Sequence, residues 1–130
     1  MSAVGADDDI CLLIDPEGLA RAEAALKRLS VQYLGWARAD LVALEAHLDE
    51  FPTDPSALQR MFRVAHNMKG QAATFDYPLV TELGNRLCRL IEAGGERDQL
   101  ARLVAALRRA LDEELSGDGG EAGKELLDGL

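Results

Sequence analysis

The residues best equipped for chemistry lie together in Arg63-Val64-Ala65-His66-Asn67-Met68-Lys69-Gly70-Gln71-Ala72-Ala73-Thr74-Phe75. An imidazole is a good nucleophile near neutral pH. Lys69 lies one helical turn beyond His66, where a mobile cation can neutralise phosphoryl oxygens. Gly70 costs a helix about 1 kcal/mol relative to alanine. Together with Ala73 it clears the flank of the imidazole so that another surface can come close. A phosphoryl carrier needs this combination, because the phosphoramidate formed on a ring nitrogen stays reactive enough to be passed on. The plain alternative is a solvated His–Lys face with Gly70 as a helix–helix contact.

Other reactive residues form weaker sets. His47 lies between Leu44 and Leu48 among Glu45, Asp49 and Glu50, and reads as a surface histidine. Two histidines and two cysteines, Cys11 and Cys88, lack the tight spacing of a zinc site, so no metal is expected. A Cys88–His66 nucleophilic pair has no third group to support it. No phosphate-cradling G-x-x-x-x-G-K-[ST] occurs, so the chain carries no nucleotide site of that kind.

The elements that must position His66 are helices. Asp15-Pro16-Glu17 is a helix start, with a cap, a proline where the missing N–H is harmless, and an acid in the first turn. Leu19, Leu26, Leu29, Tyr33, Ala37, Leu41, Leu44, Leu48 and Phe51 then recur at helical spacing, as one long helix or as two broken near Ser30–Gly35. Asp54 and Pro55 are expected to cap and open the next helix. Its stripe runs through Leu58, Met61, Ala65, Met68, Ala72 and Phe75, and His66 falls about 100° off it, at the edge or outside.

After a turn at Asp76-Tyr77-Pro78, Leu79, Leu83, Leu87, Leu90 and Ile91 form a third stripe, ended by Gly94-Gly95. Leu100, Leu103, Leu107, Leu111 and Leu115 form a fourth, ended by Gly117. The expected fold is all-α: an antiparallel up-down four-helix bundle over 15–115 with an N-terminal helical extension. Residues 1–14 read as a partly disordered segment whose Ile10–Ile14 run packs on the bundle. Residues 116–130 read as an acidic, glycine-rich, disordered tail in which Leu126-Leu127 makes at most a loose turn.

The 130 residues allow one domain, and 14 basic against 23 acidic residues give a net charge of −9. That balance, with no basic stripe, argues against nucleic acid as a partner. There is no apolar run of 18 residues and no secretory leader pattern, so no membrane contact is expected and the chain reads as cytoplasmic with reduced thiols.

His66-Asn67-Met68-Lys69-Gly70, followed by Ala72-Ala73-Thr74-Phe75, closely resembles the signature of histidine-containing phosphotransfer (HPt) domains. The likeness extends through Tyr77-Pro78-Leu79 and Leu83-Gly84 to Leu87, and the bundle pattern covers Leu19 to Leu115. It looks most like stand-alone HPt proteins of the α-proteobacteria. The resemblance implies that His66 is the phosphoacceptor on Nε2, that Lys69 stabilises the phosphoryl charge and that Gly70 gives access. Phe62, Arg63, Ala73, Asn85 and Cys88 would belong to the docking face.

The implied partners are response-regulator receiver domains and a sensor or hybrid histidine kinase. The implied protein is a monomeric carrier without kinase activity of its own, with Mg²⁺ supplied by the receiver. Two departures stand out. Asp76 occupies a place where the family usually has glycine, and here it is expected to cap the following helix. Cys88 occupies the place of a Gln or Glu that holds the other ring nitrogen, a task Asn85 or water would then take. The rival reading is a non-catalytic helical adaptor or dimerisation domain in which the long first helix does the work.

Overall fold

The computed structural model describes residues 15–114 and 120–130. The segment 1–14, with its Ile10–Ile14 run and Cys11, lies outside the described residues, as do positions 115–119. The chain divides into two compact units, 1–32 and 33–130.

The first unit contains the opening half of helix α1 (Pro16–Glu50). The Asp15 carboxylate accepts a hydrogen bond from the Gly18 amide and Pro16 takes the first helical position, as the sequence predicts. Of the two alternatives left open at Ser30–Gly35, the continuous helix is the one formed. A lone glycine weakens a helix by about 1 kcal/mol, and without a proline nothing there breaks it. Leu19, Leu26 and Leu29 on this half are exposed.

The second unit comprises α1 from Tyr33 onward, α2 (Ala57–Thr74), α3 (Pro78–Glu92), α4 (Arg97–Asp112) and α5 (Gly120–Asp128). Cross-helix contacts define an antiparallel up-down order. Tyr33 of α1 stacks on Phe75 just past α2, while Glu50 at the other end of α1 pairs with Arg60 near the start of α2. Arg38 donates to the Leu111 carbonyl and Glu45 takes a bidentate pair from Arg108, so α1 and α4 also run in opposite senses. The core lies between them, with Tyr33, Leu41, Met61, Met68, Leu83 and Leu107 all fully buried.

The helix ends differ in detail from the sequence expectation. α2 begins at Ala57, because Asp54 Oδ1 accepts from both the Ser56 amide (3.1 Å) and the Ser56 hydroxyl (2.6 Å) and closes a tight turn first. These bonds, with the Arg60 guanidinium beside them, pull the Asp54 carboxyl down to about 2. Asp76 does not cap α3. The N-cap residue is Tyr77, and it makes no side-chain cap bond. Asp76 instead takes the left-handed conformation (φ 62°) that closes α2. There the Tyr77 amide reaches back to the Ala72 carbonyl at 2.8 Å and the Asp76 amide to Ala73 at 3.4 Å, the two bonds of a Schellman ending.

The tail also differs, since residues 120–128 form helix α5. Ala122, Gly123, Leu126 and Leu127 share one face of it, and Gly123 and Leu126 are buried. A short helix gains enough from such a docked face to offset its glycines.

Candidate functional site

α2 and α3 build the site because they approach closely at one point. A Cβ added at Gly84 on α3 would lie 3.1 Å from Lys69 Cβ and 3.4 Å from the Ala65 carbonyl oxygen of α2. Glycine at this position therefore lets the two backbones meet just behind His66. Thr81 of α3 adds a 3.5 Å bond from its hydroxyl to the Lys69 carbonyl. The α2 segment that carries His66 is thus braced from α3.

His66 itself is exposed, and Ala65 and Met68 on the neighbouring face are buried, as the offset from the apolar stripe predicts. Among the described residues neither ring nitrogen makes a hydrogen bond. The imidazole lies nearly parallel to the Phe62 ring one turn earlier, with centroids 6.1 Å apart and 10° between the planes. Gly70, one turn later, has open space where a side chain would begin, with nothing within 4 Å of a Cβ built there. Ala73, a further turn down the same side, is also exposed.

Lys69 is half-buried, and its Nζ donates to Asn85 Oδ1 on α3 at 3.4 Å. The bond is long for a charged donor, so the ammonium is held near the imidazole by a weak tether. Asn85 therefore serves Lys69 and does not hold the His66 ring. Cys88 requires a larger correction. It is 2% exposed and lies within the core, so it neither faces a partner nor bonds to His66. Burial pushes its thiol upward, the Lys69 charge opposes that and Glu92 adds to it. A desolvated thiol of this kind is a poor nucleophile, which removes the Cys88–His66 pair.

Beside Phe62 and Arg63 a surface cleft of about 560 Å³ runs between α2 and the end of α3, with Leu58, Ile91 and Glu92 on its walls. Arg63 is exposed and makes no ion pair among the described residues. Sequence reasoning missed two features of this site. One is the role of Gly84, which only the α2–α3 contact reveals. The other is the Phe62 stack, for which the i,i+4 spacing of two rings was an available signal.

The fold and site define a class: a helical bundle that holds one unengaged imidazole on its surface beside a tethered cation and a glycine clearing. The model of the Hpt domain family matches residues 28–117, and the chain belongs to that family. Hpt domains are phosphocarrier modules of two-component signalling that interact with receiver domains and kinases, and are not themselves kinases. Neither the search of curated proteins nor that of solved structures returned a match. Among the described residues, no helix is long and apolar enough to cross a membrane.

Proposed function

We propose that this protein is a histidine phosphotransfer protein of a phosphorelay, accepting a phosphoryl group on His66 and passing it to a response regulator. The observation that carries this reading is the exposed His66 ring, free of hydrogen bonds among the described residues, between the Phe62 stack and the open flank of Gly70. The donor is a receiver-domain aspartyl phosphate or a kinase, and the acceptor is the aspartate of another receiver.

In the forward step the lone pair of His66 Nε2 attacks phosphorus in line with the bond to the receiver's aspartate. The N–P bond forms as the P–O bond breaks, and the carboxylate leaves with the electron pair. The proton stays on the other ring nitrogen, Nδ1. Transfer to a second receiver runs the same step in reverse. Mg²⁺ comes from the receiver, which also supplies most of the electrostatic stabilisation.

This chain contributes position and charge. Phe62 fixes the plane of the ring. Lys69 swings from Asn85 onto the phosphoryl oxygens, exchanging a weak neutral acceptor for a charged one. Gly70 and Ala73 leave room for the receiver, and the Leu58–Phe62–Arg63 wall of the neighbouring cleft supplies an apolar and cationic docking edge. The carrier works in the cytoplasm as a monomer, because one His66 face must meet successive partners.

The test is transfer of label from a phosphorylated receiver or hybrid kinase of the source organism, with ATP alone as control. Label on the wild type and none on His66→Gln, with the variant still helical, is the expected result. Label that persists in the variant, or that arrives from ATP alone, overturns the assignment. No label from any receiver leaves the adaptor reading, for which the exposed leucines of α1 are the relevant surface.

A further inference from the structure

The arginines of residues 33–130 fall into two groups. Arg38, Arg60, Arg86, Arg97, Arg108 and Arg109 each have a guanidinium bonded to a carboxylate or a backbone carbonyl. Arg63, Arg89 and Arg102 have no such partner among the described residues. Arg63 borders the His66 face. Arg89 of α3 and Arg102 of α4 line one cleft together, and that cleft, of about 420 Å³, contains none of the residues around His66.

Arg86 is a third cation on its wall. Its Nε is bonded to Glu82 at 2.6 Å, and its two terminal nitrogens make no bond among the described residues. Leu90, Leu103 and Leu130 supply apolar surface, and Gln99 adds an amide. In a chain with net charge −9, two guanidiniums on one concave surface with no acidic partner among the described residues, beside a third paired with Glu82, are a departure from how its other arginines are used. Like charges brought together in this way repel, and a bound anion relieves that repulsion.

Guanidinium forks match the geometry of phosphate oxygens and also stack on flat rings. Apolar walls with a few convergent polar groups, at this volume, are the ordinary composition of a small-molecule site. We propose that the α3–α4 cleft is a binding site for a phosphorylated small molecule with a flat apolar body, of which a nucleoside monophosphate is the simplest. Its phosphate is held by Arg89 and Arg102, with Arg86 as the third donor, and its body lies against Leu90 and Leu103. The site is independent of the phosphotransfer reading, because no residue is common to both.

The experiment is calorimetric titration of the full chain with AMP, adenosine and ribose 5-phosphate at low salt. It is repeated on Arg89→Ala/Arg102→Ala and on Arg109→Ala, the last removing an arginine already paired with Glu113. AMP is expected to bind below the millimolar range, and adenosine and ribose 5-phosphate at least tenfold more weakly. The double variant, both of whose altered side chains are exposed, is expected to keep its helical signal and lose at least tenfold in AMP affinity, while Arg109→Ala matches the wild type. Absence of AMP binding, or equal binding to the double variant, overturns the proposal. Ribose 5-phosphate binding as tightly as AMP overturns the part assigned to the leucines. An acidic peptide bound where AMP is not would make the cleft a protein-docking surface instead.

Discussion

Gly70 and Gly84 are the same residue type with opposite surroundings, and the difference can be measured. At Gly70 a methyl group meets open space, so Gly70→Ala gains helix propensity and stabilises the chain by up to about 1 kcal/mol. The same methyl sits in the clearing beside His66, so phosphoryl transfer slows as the melting temperature rises. At Gly84 the methyl meets Lys69 Cβ and the Ala65 carbonyl, both tied to the α2 backbone and unable to swing away. Overpacking of this kind costs about 1–3 kcal/mol, which exceeds the propensity gain. Gly84→Ala therefore lowers the melting temperature, and thermal melts of the two variants should shift in opposite directions. The sequence showed Gly70 as an access point because a lone helical glycine beside a histidine is a local signal. The role of Gly84 was hidden, because it depends on which residues of another helix stand opposite.

At the scale of the element, the turn between α2 and α3 holds an aspartate where the backbone favours glycine. A left-handed conformation costs a side-chain-bearing residue of order 1 kcal/mol. Asp76→Gly relieves that but gives the unfolded chain more freedom. The net expectation is a stabilisation of about 0.5 kcal/mol, read as a rise in melting temperature of a few degrees. Loss of stability would mean that the Asp76 side chain does something the backbone geometry does not reveal.

The helices themselves were legible, since each apolar stripe recurs at three- and four-residue steps, although α4 ends at Asp112, short of the Gly117 expected to close it. Cys88 was misplaced for a reason of the same scale. α3 buries two adjacent strips, one through Leu79, Leu83 and Leu87 and another through Val80, Gly84 and Cys88. A reading that follows only the leucines assigns the second strip to the surface. α5 was missed because glycines at 119, 120 and 123 outweigh two leucines in any local reading, while docking against the bundle favours the leucines.

For the molecule as a whole, Tyr33 links core stability to alkaline pH. Its ring stacks with Phe75 and Tyr77, and its hydroxyl is buried without a hydrogen-bond partner among the described residues. Burial, with Tyr77 and Asp40 adding to it, raises the phenol well above its ordinary value of 10.0. The unfolded chain therefore loses this proton first as pH rises. Stability is intact below about pH 10 and declines above it. Tyr33→Phe removes both the titration and the unpartnered hydroxyl, so the variant should match or exceed the wild type at pH 7. It should pull further ahead in melting temperature above pH 10. Parallel declines in the two proteins would place the alkaline sensitivity elsewhere.

Tyr33 is also the residue at which α1 changes character. From it to Leu48 the helix is held by the core, whereas Leu19, Leu26 and Leu29 before it are exposed. The family match starts at residue 28, so most of this opening half lies outside it. Being exposed, those three leucines are not held apolar by burial. Substitutions there are free to accumulate unless a separate demand keeps them apolar, and the rate at which they drift among related chains would reveal whether such a demand exists.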